Sequence, residues 1–522
     1  MHLPKGRLCA ILILALVVVV PPALPAAPPP QQAGKPPAEV VEMRKAMRIQ
    51  DPATRLKELE RIKAAYPQSE YQPTLNSAIQ TTRIQMATSV DELVKLQQPL
   101  LQAAKGVDRI YLYYNFCWEI LKHRNAARFE RRKMAQAVLD YSREGMQLAR
   151  NPDFQKSLPE GQARFLNMNW PNFYLTEAAA YLELKDAPKA ATALELFRKA
   201  SPSRGDVYAY IQAGLDEALG RRKEALDGYL SAAADGYGDS LAKAKELYQK
   251  MHGSLDGFEA GLEAKQRQLP FVPQPYEPPA KWPGRTVLAE LFTGSECPPC
   301  LATDLAFDGL LAAYGPEYLA VLEYHVPIPR PDPLMTPASL ARLEAYGVSS
   351  TPTPLFDGVK EESGGGNKAM AGEKFKAYSE IVAADLLQPP GARLSVEASL
   401  LGGDRVEIAF SAGREAAGAD YDLVLVQTED TYRGSNGVIF HKMVVKDLVT
   451  LTAADLKAGK YAIDLARLEA SIAAGLAELE KQRSFAFQVK KYAIDRSRLR
   501  VVLFAQDRAS KKVLNAAVAD VN

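Results

Sequence analysis

The sequence predicts a multidomain chain: an all-α helical repeat region, then an α/β domain, then a mainly antiparallel β-sandwich. Three observations carry that prediction. Ala, Leu, Glu, Lys and Arg recur at three-to-four spacing from Val40 to Leu269, the period of helix faces. Between residues 284 and 388 apolar runs alternate with helical patterns, the order of an α/β sheet. Beyond Gln388-Pro389-Pro390 the apolar period falls to two, which suits antiparallel strands.

Composition narrows the function classes. A chain of 522 residues exceeds one ordinary domain. Its 64 basic residues against 62 acidic ones leave a net charge of +2. No strongly basic face is implied, so nucleic acid is not an expected partner.

The opening segment MHLPKGRLCAILILALVVVVPPALPAA has the form of a secretory signal. Lys5 and Arg7 supply the basic start, and Leu8 to Val20 are thirteen unbroken apolar residues. Small residues follow, and cleavage is expected after Ala26. That apolar run is short for about 30 Å of hydrocarbon. Membrane contact is therefore expected only through an uncleaved signal, and the expected location is periplasmic or secreted. Cys9 leaves with the signal, so the mature chain keeps Cys117, Cys297 and Cys300.

The expected layout is a signal at 1–26, a helical repeat domain at 40–269, a proline-rich linker at 270–283, an α/β domain at 284–388 and a sandwich at 389–522. In the helical part, AAAYLELKDAPKAATALELFRKASP is echoed by QAGLDEALGRRKEALDGYLSAAADG. Ala190 and Ala225 match 35 residues apart, with Leu184 and Leu219 each six residues upstream, and Pro202 closes the first unit. These units resemble tetratricopeptide repeats, whose period is about 34 residues. They read as a packed scaffold, with a protein partner on the repeats as the sharper alternative.

In LPFVPQPYEPPAKWPG six prolines fall between Pro270 and Pro283, favouring an extended, semi-rigid connection. After it, TVLAELFTG reads as a buried strand, PPCLATDLAFDGLLAAYG as a helix and YLAVLEYHV as a second strand. PASLARLEAYG is a helix with Thr336 as N-cap and Pro337 at its first position, and TPTPLFDG is a short strand. This order predicts a mostly parallel sheet covered on both faces. In the last region RLSVEASL, VEIAF, YDLVLVQTED, GVIFHKMVV, FAFQVKKY and LRVVLFAQD read as strands. A helix from Asp464 to Lys481 interrupts them.

The chemistry is concentrated in TGSECPPCLAT, residues 293–303. A strand that delivers Cys297 to a helix start favours its thiolate through the helix dipole. Pro298 and Pro299 fit a first turn, where amide donors are orphaned anyway. Cys300 follows one turn later, close enough to form a small disulfide ring. Such a pair suits exchange, with Cys297 attacking and Cys300 resolving the mixed disulfide. A static crosslink and a metal site are the alternatives. Zinc wants four ligands, and the sequence offers no second CxxC and no HxxxH.

Strand, CxxC at a helix start, strand, helix and then AYGVSSTPTPLFDG together resemble the thioredoxin family. The resemblance covers roughly residues 284–388. It implies that Pro352 is the cis-proline facing the CxxC and that Thr351 before it pairs with client backbone. Thr351 and Pro352 are thus the implied substrate-binding positions, and Cys297 and Cys300 the catalytic ones. No cofactor is implied beyond the redox-active disulfide Cys297–Cys300. The wider layout resembles secreted bacterial thioredoxin-like proteins with a β-sandwich after that unit, on the phrases ELFTGSEC, NGVIFHKMVV and VVLFAQDRASKKVLNAA.

Departures from the pattern set further expectations. Glu296 stands where the family has tryptophan, and its charge opposes the Cys297 thiolate. Leu291 replaces the buried acid six residues before the first cysteine, and Glu290 should point to the other face, so proton transfer at Cys300 lacks an agent. The insertion PIPRPDPLMTP lengthens the path to the second helix and is placed to cover the site. Away from the pair, His325 reads as a strand-end residue tied to backbone or solvent, and His441 as structural. Cys117 in LYYNFCWEIL reads as a buried small hydrophobe.

Two functions therefore stand at the level of sequence. One is a periplasmic or secreted thiol–disulfide oxidoreductase acting on client proteins with thiols or disulfides, with the repeats as a docking arm. The other is a non-enzymatic interaction scaffold holding a degenerate thioredoxin module and a static disulfide.

Overall fold

The computed structural model describes residues 37–201, 205–360, 365–413 and 418–522. The signal segment and Pro202 lie outside them. The chain divides into two compact units. The first is Met1–Ser203 with Tyr210–Ala225, and the second is Arg204–Ala209 with Leu226–Asn522.

The first unit is helical. Helix Gly106–Lys122 packs on Arg131–Ala149, which packs in turn on Phe173–Glu183. Gly145 permits the last contact, because a Cβ there would lie 2.4 Å from the Phe173 ring. Two helix starts show side-chain caps of the expected kind. Asp51 accepts from Thr54 N at 2.8 Å, and Ser89 accepts from Glu92 N at 3.2 Å. The repeat appears as Phe173–Glu183 with Ala187–Ala200, then Asp206–Ala218 with Arg222–Ala234. Ala190 and Ala225 are both fully buried. Cys117 is buried too, with Sγ 3.6 Å from the Val138 carbonyl and 3.5 Å from Ser142 Oγ. Burial pushes its thiol up to about 12, so it behaves as the small hydrophobe expected.

The second unit takes in most of helix Arg222–Ala234, then helices Ser240–His252 and Phe258–Gln266, and is built on two sheets. The strands are β1 (Val287–Thr293), β2 (Leu319–His325), β3 (Thr353–Phe356), β4 (Val359–Lys360), β5 (Leu394–Leu401), β6 (Arg405–Ala412), β7 (Ala419–Thr431), β8 (Phe440–Thr450), β9 (Lys460–Asp464), β10 (Leu499–Asp507) and β11 (Val513–Asp520). Eight of them form one sheet in the order β11-β10-β7-β8-β2-β1-β3-β4, and β5-β6-β9 form a second.

The expected mostly parallel sheet is corrected here. Among the described residues of this sheet only β1–β2 and β2–β8 pair in parallel, the latter through a single register pair, Glu323 with Val444. The remaining pairs, β1–β3 included, are antiparallel. The direction reverses because the chain returns from helix Pro337–Tyr346 through Thr351-Pro352 and enters β3 running against β1. Strands on both sides of Gln388 share this sheet, so the expected boundary at 388–389 does not separate two sheets. Its physical basis is the alternation in β7 and β10. Val424, Val426, Val502 and Phe504 face the core around β1 and β2, while Leu423, Leu425, Val501 and Leu503 face the core under β5, β6 and β9. The three-stranded sheet is thus the second layer of a sandwich whose first layer is the large sheet. Helix Leu465–Arg483 adds Ile472 and Leu476 to that second core.

FAFQVKKY is not a strand. Its backbone donors go elsewhere: Phe487 N donates to Glu480 Oε1 at 2.8 Å and Lys491 N to the Pro333 carbonyl at 3.2 Å. The proline-rich connection lies on the second unit. Phe271 stacks on Phe375 and Tyr276 on Tyr314, at 5.0 and 4.8 Å between ring centroids. Among the described residues no helix is long and apolar enough to cross a membrane.

Candidate redox site

β1 is buried along its whole length and delivers the chain to Gly294–Glu296. Cys297 N donates to the Gly294 carbonyl at 3.0 Å, closing a turn. Pro298–Cys300 form one 3-10 turn that runs on into helix Leu301–Ala313. Cys297 and Cys300 are joined in a disulfide with Cα atoms 5.4 Å apart. Neither residue exposes any surface, whereas Pro298 and Pro299 are exposed.

Support for the first sulfur differs from the expectation of first-turn amides. Pro298 and Pro299 have no N–H, and the Cys300 amide donates to the Cys297 carbonyl at 2.9 Å. The donor that reaches Cys297 Sγ is the Thr351 hydroxyl, at 3.3 Å, and the same hydroxyl lies 2.9 Å from the Ile328 carbonyl. The Thr351-Pro352 bond is cis, as is Ile328-Pro329 in the insertion. Three of the sequence-derived site residues, Cys297, Cys300 and Thr351, therefore meet, with Pro352 directly behind. The insertion touches this site from one side. Besides the Ile328 contact, Asp332 accepts from Ser295 N at 2.6 Å and from Leu334 N at 2.8 Å.

Glu296 is half-buried and accepts from the Tyr432 hydroxyl at 3.0 Å. Burial, then the Glu296 carboxylate, pushes the Tyr432 phenol up to about 12, so Tyr432 is a donor across the neutral range.

His325 is corrected. It is a buried residue whose Nδ1 lies 3.0 Å from Asp332 Oδ2, and its Nε2 has no hydrogen-bond partner among the described residues. β2 ends there in register with Thr293 of β1, which carries the ring inward rather than to solvent. Burial opposes ionisation of Asp332, yet His325 and the Leu334 amide hold its carboxyl below the usual range. His441 is buried beside it, with ring centroids 4.8 Å apart, and burial pushes it down to about 3. Its Nε2 lies 2.9 Å from the Tyr432 carbonyl.

A buried acid also sits on the helix that follows the pair rather than on β1. Asp304 lies one turn beyond Cys300 on the same helix face. Its carboxylate accepts from Thr293 Oγ1 at 2.6 Å and Asn436 Nδ2 at 3.1 Å. Burial pushes it up to about 7, against those hydrogen bonds. Its i, i+4 spacing from Cys300 was a signal the sequence held. Glu290 faces away from the pair, as expected, and binds Arg342 and Tyr346 of helix Pro337–Tyr346. Comparison with known proteins gives no match: no family model, curated protein or solved structure is significantly similar to this chain.

Proposed function

We propose that this protein is an exported thiol–disulfide oxidoreductase with a thioredoxin-like redox unit, acting on client proteins in the periplasm or outside the cell. The carrying observation is the Thr351 hydroxyl on Cys297 Sγ, together with the Cys297–Cys300 disulfide just beyond the end of β1. In the reducing direction the Cys297 thiolate attacks a client disulfide. One client sulfur leaves as thiolate and the other joins Cys297. The Cys300 thiolate then attacks Cys297 Sγ, the client leaves as its second thiolate, and the Cys297–Cys300 disulfide re-forms. Asp304, one turn beyond Cys300 and with its carboxyl pushed up to about 7 by burial, is the acid proposed to take the Cys300 proton. The oxidising direction runs the same steps backwards, and partner thiols or disulfides balance the electrons either way.

The Thr351 hydroxyl steadies the attacking sulfur, doing part of what amides do at other helix starts. Burial of both sulfurs means that a client reaches Cys297 only after the covering loops part. That same burial favours the second reading, a scaffold with a static disulfide. Two measurements separate them. Cys300→Ser should trap clients on Cys297 as mixed disulfides. A potential for the pair well below about −300 mV, with no trapped species, would establish the static bridge instead.

A further inference from the structure

The loop between β7 and β8, Tyr432–Ile439, comes from the part of the chain read as sandwich, yet it lies against the segment before Cys297. Asn436 N donates to the Ser295 carbonyl at 3.0 Å, and Asn436 Nδ2 to the Gly294 carbonyl at 3.4 Å and Asp304 Oδ2 at 3.1 Å. Gly434 packs so closely that a Cβ there would sit 2.1 Å from the Ser295 carbonyl oxygen. Tyr432 donates to Glu296, while Arg433 reaches the Ala234 carbonyl at 3.1 Å. The loop therefore grips all three residues Gly294, Ser295 and Glu296 and is itself anchored on its far side.

We propose that this loop is a wall of the disulfide site, in which Tyr432 is a positioning residue that acts on Cys297 through Glu296. The inference rests on the exchange function proposed above. Glu296 adjoins Cys297, and a bare carboxylate there opposes a thiolate. A phenol that donates to the carboxylate offsets part of its charge and fixes its direction. The other titratable and charged groups around the segment are Asp332 and His325 from the insertion and β2, Asp304 from the helix after the pair, His441 from β8 and Arg433 from the loop itself. All of them remain in the variants below.

The test is the redox equilibrium of the Cys297–Cys300 pair against dithiothreitol at pH 7, in the full chain. Tyr432→Phe should move the equilibrium about threefold toward the disulfide, because the reduced form loses thiolate stability. Glu296→Gln should move it the other way, and adding Tyr432→Phe to Glu296→Gln should then change nothing. Circular dichroism confirms that each variant is folded. An unchanged equilibrium in Tyr432→Phe, a move toward the dithiol, or the same shift in both backgrounds would overturn the proposal. Failure to trap clients with Cys300→Ser would sink the exchange function while leaving this equilibrium readable.

Discussion

The Thr351 hydroxyl sits 3.3 Å from Cys297 Sγ and 2.9 Å from the Ile328 carbonyl, joining the cis-proline loop, the insertion and the first cysteine at one atom. On reduction, the sulfur becomes a charged and stronger acceptor. Thr351→Val keeps the shape and removes the donor. It should slow Cys297 exchange with a small disulfide at neutral pH by about tenfold to a hundredfold, the worth of one hydrogen bond to a charged group. Stopped-flow rates against pH would read it, and a rate identical to wild type would show that the hydroxyl stays on Ile328.

Asp304 gives a pH signature. Its carboxyl titrates near 7 in the folded chain and near 4 when unfolded. Between those values the native state holds a proton that the unfolded chain has lost, so stability falls as pH rises through this window. Asp308, pushed to about 7 by its surroundings, acts with the same sign. His441, pushed down to about 3 by burial, acts with the opposite sign up to about 6.5, so the signature is a difference: from pH 4 to 8 wild type should lose stability relative to Asp304→Ala in thermal unfolding. That variant should also slow release of client from the mixed disulfide at least about tenfold.

Glu429 carries the opposite sign. Arg267 contacts it at 2.6 Å, and Lys442 and Arg498 also bind it. The Arg267 hydrogen bonds, followed by those of the other cations, hold its carboxyl down at about 2 despite partial burial. A depressed carboxyl contributes stability that is present above about 4.5 and lost as pH falls toward 2. Glu429→Gln should cost about 2 kcal/mol at pH 7 and much less at pH 2.5, measured by urea unfolding. An equal cost at both values would remove the ion cluster from the account.

Gly434→Ala tests the close approach of the β7–β8 loop. The new methyl would meet the Ser295 carbonyl oxygen at 2.1 Å, a backbone atom that cannot swing aside. Overpacking of this kind costs about 1–3 kcal/mol. The disulfide should also become easier to reduce, because the displaced loop uncovers it. Full stability with unchanged reduction kinetics would mean that the loop accommodates the methyl elsewhere.

Local chemistry determined a good part of this molecule from sequence alone. Helix and strand periods placed the repeat pairs Ala187–Ala200 and Arg222–Ala234 and the strands β1, β2, β3, β5, β6, β7, β8 and β10. Thr336 caps helix Pro337–Tyr346, accepting from Ser339 N at 3.1 Å, because a cap needs only its own neighbours. The CPPC pair was equally legible, since a ring of that size closes within one turn. Strand direction was not: β3 runs against β1 because of where the chain re-enters the sheet, which no period records. β9 lies in a segment whose pairing partner, β6, is distant in sequence. The environment of the pair escaped for the same reason. Asp332, Tyr432 and Asn436 reach Gly294–Glu296 from the insertion and from the β7–β8 loop, and His325 of β2 binds Asp332. Residues more than a hundred positions apart become neighbours only when β7 and β8 join the sheet that carries β1. The sequence determined which cysteines could pair, and the tertiary packing decided what surrounds them, because burial and hydrogen bonding across elements exist only once the sheet is assembled.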